Sequence, residues 1–299
     1  MTSSGVTEVR EGEWTSGHFR EVLDLKIPGY FTSDPQLLGD FNTNFRTRPD
    51  DVLIAAYPKS GTTWMQEIIW QIYNNGEYTS QKILERFQFL EFLTSPGVSD
   101  PADIAKVPSP RLMKSHLSYN TIPKSSSDSA KCKYIYIARN PKDVAVSYFH
   151  FVESLASRIG YSGPWEIFSK LFIEGNGKTW GAVNDHVLGW WKHKDDPNVL
   201  FLKYEDLKKD LLSHVQLTAS FLNKPLSEDV ISRIAEQCSF SGMTKDLSKY
   251  SVNEGKVRLL RKGVVGDWKN YFTPELNERF EKEVLSKLEG TGLEFDFGS

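Results

Sequence analysis

Apolar residues in this chain fall into two kinds of pattern. Four compact runs, Val52–Tyr57, Arg111–Lys114, Lys133–Ala138 and Val199–Lys203, are rich in Val, Ile, Leu, Phe or Tyr, and each stops at a turn or polar residue. Continuous apolar runs of this length predict strands buried on both faces. Elsewhere the spacing becomes helical. Trp64, Ile68, Ile69, Ile72 and Tyr73 form one stripe after Gly61, and Val144, Tyr148, Phe151 and Leu155 form another after Asn140. Asn140 predicts an N-cap, with Pro141 at the first helical position and Asp143 in the first turn. Strands alternating with helices predict an α/β fold: one domain spanning residues 1–299, with a mostly parallel central sheet flanked by helices. Ligands of such sheets gather beyond the carboxyl ends of the strands, so the residues that follow each strand matter most.

Composition narrows the function. The chain has 299 residues, 39% hydrophobic and 25% charged, which is ordinary for a globular protein. A net charge of −3 gives no overall basic field for nucleic acid, so any bound anion needs a local cluster of cations. The two cysteines, Cys132 and Cys238, are too few for a disulfide scaffold or a zinc site. Charged residues recur through the first 30 positions, which leaves no apolar stretch of a signal peptide, and no run approaches the ~20 apolar residues of a membrane span. The expectation is a cytoplasmic protein without a membrane or nucleic-acid partner. Pro123–Ser129 reads as one surface loop.

The chemistry begins after the first run. Tyr57-Pro58-Lys59-Ser60-Gly61-Thr62-Thr63-Trp64 leads from strand to helix. Backbone N–H groups and a positive helix end at such a turn make a phosphate cradle. It is not the usual P-loop, because Thr62 stands where a lysine should follow the glycine. Such a loop suits a single 5′-phosphate carrying a transferable group better than a triphosphate with magnesium; an ordinary strand–helix turn with an exposed lysine is the plainer alternative. Arg139 ends the third run and offers a phosphate a bidentate fork, with Ser147 about two helical turns beyond. Arg261-Lys262-Gly263 sets two cations beside a glycine that allows close approach of an anion, although a solvated charged turn reads the same way. His116, just past the second run, can accept a proton as a neutral imidazole. The other histidines lack such a context and read as surface or core residues.

Tyr-Pro-Lys-Ser-Gly-Thr-Thr-Trp resembles the 5′-phosphosulfate loop of the cytosolic sulfotransferases. Two further motifs occur in the same order: Arg139-Asn140-Pro141-Lys142-Asp143 with Ser147, and Arg261-Lys262-Gly263-Val264-Val265-Gly266-Asp267-Trp268-Lys269. Together they resemble the family from about residue 45 to 285. The resemblance implies a P-loop-like phosphosulfate-binding loop after the first strand. It also implies a metal-free sulfotransferase that uses 3′-phosphoadenosine 5′-phosphosulfate and releases 3′,5′-adenosine bisphosphate. It assigns the nucleotide to Lys59, Ser60, Gly61, Thr62, Thr63, Trp64, Arg139, Ser147, Tyr204, Ser239, Phe240, Met243, Arg261, Lys262 and Gly263. Within that set Trp64 and Phe240 flank the adenine, and stacking of this kind contributes ~1–3 kcal/mol. Lys114-Ser115-His116-Leu117 matches the family's Lys-Thr/Ser-His-Leu, which implies His116 as general base, with Lys59, Lys114 and Ser147 also catalytic.

The resemblance places the acceptor, a small aromatic or hydrophobic molecule with a hydroxyl or amine, against Phe31, Phe89, Phe92, Lys114, His116 and Phe151, with residues 1–44 contributing to the pocket. Phe87, Tyr148 and Phe149 lie in the same aromatic segments. Three departures stand out. Cys238 precedes Ser239-Phe240 where relatives carry threonine. The stretch 241–260 is short, which predicts a more open pocket. Pro274 replaces the valine of the family's dimer motif and removes a backbone donor, which predicts a monomer or weak homodimer. Two other functions compete. A nucleotide kinase would need a lysine after Gly61 and an acidic magnesium ligand, whereas a non-catalytic nucleotide-binding protein would not need Lys59, Lys114, His116 and Ser147 together.

Overall fold

A computed structural model of the protein describes residues 6–22, 25–29, 35–92, 101–125, 131–175, 180–252 and 255–298. Its centre is a five-stranded sheet of β1 (Val52–Ala55), β2 (Gln88–Phe89), β3 (Leu112–Ser115), β4 (Lys133–Ala138) and β5 (Val199–Lys203), in the order β5-β4-β1-β3-β2. Every neighbouring pair is parallel. Ala55 stands opposite Ser115 on one side and Tyr136 on the other, which brings the carboxyl ends of β1 and β3 to one level beside β4. The chain moves outward from β1 on one side to β2 and β3, then on the other to β4 and β5. The crevice between these halves is where ligands of open α/β sheets bind.

Both faces are covered because the strands are apolar along their length and successive side chains point to opposite faces. Ile54, Ile135 and Ile137 pack beneath α1 (Thr62–Tyr73) with Ile68 and Ile69. Leu53, Tyr134, Tyr136 and Ala138 face the opposite layer, with Val144 of α2 (Pro141–Ser154) and Trp190 of α3 (Val183–Trp191). Asn140 caps α2 as its sequence predicts, its side-chain oxygen accepting from Asp143 N at 2.8 Å, with Pro141 in the first turn.

Two strand boundaries differ from the sequence reading. β1 ends at Ala55, because Tyr57 already belongs to the turn, its carbonyl accepting from Ser60 N at 3.2 Å. β3 starts after Arg111, whose buried guanidinium pairs with Asp51 at 2.9 Å. The two-residue β2 and the antiparallel pairings of the amino-terminal segment (Phe19–Val22 with Leu25–Pro28, and Trp14–Ser16 with Tyr161–Ser162) are too short to leave a periodic signal. Among the described residues no helix is long and apolar enough to cross a membrane.

Candidate active site

The loop from β1 to α1 is shaped by two left-handed residues, Lys59 (φ 71°) and Gly61 (φ 115°). A Cβ on Gly61 would lie 2.8 Å from Ile137 Cδ1 and 3.0 Å from Tyr204 Cδ2, so only glycine lets the loop sit this close to β4. Among the described residues no side chain caps α1, which leaves its first amides open to an anion. The Thr62 hydroxyl is buried and has no hydrogen-bond partner among the described residues.

His116 follows β3 and is held on every side. Its Nδ1 lies 2.8 Å from the Ala56 carbonyl, an acceptor only, so Nδ1 carries the proton and Nε2 keeps the lone pair. Its backbone N–H donates to Glu91 Oε1 at 2.5 Å, and its carbonyl accepts from His186 Nε2 at 2.9 Å. The Phe89 and Trp180 rings meet the imidazole edge-on, each with its centroid 5.4 Å away. Burial first, then the Lys114 charge, push its pKa down to about 3, so the ring is neutral at physiological pH.

Cations gather around it. Burial, then Arg139, Arg261 and Lys114, lower Lys59 to about 7, and burial lowers Lys114 to about 8. Both ammonium groups lie over aromatic faces, Lys59 at 4.3 Å from the Phe151 centroid and Lys114 at 3.9 Å from Phe89. Arg139, at the end of β4, donates to Val264 O at 2.9 Å, and its guanidinium lies 4.5 Å from the ring centroid of Tyr204, which opens α4 (Tyr204–Lys209). The Nε atoms of Arg139 and Arg261 are buried without a partner among the described residues.

The Arg261–Lys262 turn is a charged turn and a cavity wall at once. Asp267 accepts from Arg261 Nη2 at 2.6 Å and from Lys262 Nζ at 2.7 Å, and these contacts hold its carboxyl down to about 2 despite burial. Gly263 (φ 65°) lies against Phe240, and a Cβ there would fall 2.1 Å from that ring. Trp64 donates from Nε1 to Cys238 O at 2.7 Å and meets Tyr204 edge-on at 5.2 Å.

These groups line one cavity of about 490 Å³. Of the residues expected in the site, Lys59, Gly61, Thr62, Thr63, Trp64, Phe89, Phe92, Lys114, His116, Arg139, Ser147, Phe151, Tyr204, Phe240, Met243, Arg261, Lys262 and Gly263 all reach it. Ser60 and Ser239 are not on its wall. Ser60 is buried within the loop, and the Ser239 hydroxyl caps Phe240–Thr244 by accepting from Gly242 N at 3.0 Å. Phe31 lies outside the described residues. Tyr148 lines the cavity, whereas Phe87 and Phe149 are core. The short 241–260 stretch still reaches the cavity with Ser251, Val252, Leu259 and Leu260. Sequence reading gave no individual role to Trp14 of the amino-terminal segment, which lines the cavity, or to Glu91, which supports it. It also missed Trp180, whose φ of 75° is unusual for a bulky residue and could not be seen without the fold.

Fold and site thus define a two-sided α/β protein whose anion cradle and neutral histidine share one cavity. The sulfotransferase domain model matches residues 49–292. Human sulfotransferase 1C2 is 40% identical over 263 residues, 84% of this chain and 88% of its own length. Dog sulfotransferase 1B1 is 42% identical over 264 residues, again 84% of this chain and 88% of its own. The crystal structure of mouse sulfotransferase SULT7A1 complexed with PAP superposes with a TM-score of 0.75 at 31% identity, covering 91% of this chain and 94% of that one. The chain belongs to the sulfotransferase family, whose members are transferases that depend on 3′-phosphoadenosine 5′-phosphosulfate.

Proposed function

We propose that this chain works as one cytoplasmic sulfotransferase domain. It moves a sulfuryl group from 3′-phosphoadenosine 5′-phosphosulfate to a hydroxyl or amine of a small aromatic or hydrophobic acceptor, with His116 as general base. The observation that carries this reading is a neutral imidazole with its lone pair on Nε2, set in an aromatic-walled cavity beside Lys59, Lys114 and Arg139.

The residues present suit the nucleotide. The Thr62 hydroxyl, without a partner among the described residues, and the amides opening α1 would hold the 5′ end. Arg139, Ser147 and the Arg261–Gly263 turn would hold the 3′-phosphate, and the Arg139 and Arg261 Nε atoms, without partners among the described residues, are spare donors for it. Trp64, Tyr204, Phe240 and Met243 are assigned to the adenosine. When bound, the nucleotide supplies an activated sulfuryl group with a phosphate leaving group. His116 takes the acceptor's proton at Nε2, while Lys59 and Lys114 place positive charge where negative charge grows in the transition state.

His116→Ala is expected to lose ~10²–10⁴-fold in kcat towards a simple phenol, the usual contribution of a general base. Its affinity for 3′,5′-adenosine bisphosphate, measured by calorimetry, should match the parent's. Parental turnover by the variant would remove His116 from the role. A panel of phenols, alcohols, amines and sterols with labelled donor identifies the acceptor class.

A further inference from the structure

The transfer reading gives roles to Lys59, Lys114, Arg139 and Arg261 but not to Glu91, a buried carboxylate with no exposed surface that is not on the cavity wall. It belongs to the turn Leu90–Phe92, directly after edge strand β2. Phe89 of β2 pairs in register with Lys114 of β3 and places its ring 3.9 Å from the Lys114 ammonium. Glu91 follows two residues later and turns its carboxylate back under the end of β3. Oε1 there accepts from the Ser115 hydroxyl at 3.0 Å and from the His116 N–H at 2.5 Å. An isolated carboxylate this deep is costly, and a plain structural anchor needs no charge. Its surroundings justify one: the residues it binds directly follow Lys114.

We infer that Glu91 is a positioning residue for sulfuryl transfer, whose buried carboxylate fixes the backbone of His116 and supplies the counter-charge of Lys114 without touching either substrate. This inference rests on the sulfotransferase reading and on His116 as base. The groups facing Lys114 are Glu91 from the turn after β2, His116 from its own strand end and Lys59 from the loop after β1. Of these, Glu91 favours the ammonium and Lys59 opposes it. Burial pushes Glu91 up to about 7, against the pull of the His116 N–H, the Ser115 hydroxyl and Lys114. The carboxylate and ammonium therefore each offset part of the penalty that burial places on the other's charge.

Glu91→Gln keeps the shape and still accepts from His116 and Ser115, but it removes the charge. In steady-state assays with a simple phenol, kcat near the basic limb is expected to fall about tenfold, the equivalent of one pKa unit on Lys114. The KM for the nucleotide should hold, and the basic limb of the kcat–pH profile should move down by about one unit as Lys114 loses its counter-charge. A parental kcat with an unmoved basic limb would overturn the proposal. Should Glu91→Gln not fold, Glu91→Asp carries the test: it keeps the charge and withdraws the carboxylate by one methylene, so kcat should fall while the basic limb stays. Parental kcat in Glu91→Asp overturns the positioning role. Failure of the underlying reading shows separately, because an active His116→Ala removes the base yet leaves the Glu91→Gln shift of the Lys114 limb to be read.

Discussion

At the scale of single residues, the site depends on positions where a side chain would be harmful as much as on those where one acts. Gly263 is the clearest: its left-handed backbone and the 2.1 Å approach to Phe240 leave no room for a Cβ. Gly263→Ala should tilt Phe240 and displace Arg261, and strain of this kind costs about 1–3 kcal/mol. Nucleotide affinity measured by calorimetry should therefore fall at least about fivefold; unchanged affinity would show that this turn does not touch the ligand. His116 yields a second expectation. With its pKa near 3, its ring proton signals in NMR should stay unshifted between pH 5 and 8; a titration near the usual histidine value would mean water reaches the ring. Lys59, Arg139 and His116 were legible in the sequence because each follows a strand at a recognisable motif. Glu91 and Trp180 were not. A carboxylate that works through hydrogen bonds to a neighbouring strand, or an indole aimed by a left-handed backbone, leaves no periodic mark.

At the scale of elements, α2 was the most legible part of the chain, because Asn140-Pro141-x-Asp143 states its cap, first turn and dipole partner together. The structure adds a second duty for Asp143. Its carboxylate accepts from Gly266 N at 2.9 Å, Trp268 N at 3.0 Å and Asn140 Nδ2 at 3.0 Å, which ties the Arg261–Trp268 turn to the end of β4. Sequence alone could not join segments more than 120 residues apart. Asp143→Ala strands two backbone donors, Gly266 N and Trp268 N, while Asn140 Nδ2 keeps Glu205 Oε1, and should lower unfolding free energy by about 2 kcal/mol in urea titrations. It should also weaken nucleotide binding more than it raises the acceptor KM. Equal effects on both would mean that the turn is not specific to the nucleotide. Pro274 bears on another element. It opens the helix Pro274–Glu283 behind the Thr273 cap, where its missing N–H costs no helical bond, so the proline suits the monomeric helix whether or not chains pair.

For the whole molecule, the main tension is electrostatic. A chain of net charge −3 directs Lys59, Lys114, Arg139 and Arg261 to one cavity, where burial and repulsion from the other three lower Lys59 to about 7 and burial lowers Lys114 to about 8, from an ordinary 10.5. Such a cluster makes sense only if an anion completes it, and its cost without one sets the sign of a pH effect. Between about 7 and 10.5 the unfolded chain binds more protons at Lys59 than the folded one does, so this site's contribution to stability rises with pH across that window. Below 7 the folded protein carries the full penalty of a charged Lys59. Lys59→Met removes the penalty along with the catalytic charge. By scanning calorimetry without ligand, the variant should melt above the parent near pH 6.5, with the gap closing towards pH 9.5. Saturating 3′,5′-adenosine bisphosphate should shrink or reverse that gap, because its phosphates turn the lysine's charge from a liability into a contact. If Lys59→Met instead melts lower at pH 6.5 in the free protein, the cations are compensated without ligand, and the cavity was not built around a polyanionic nucleotide.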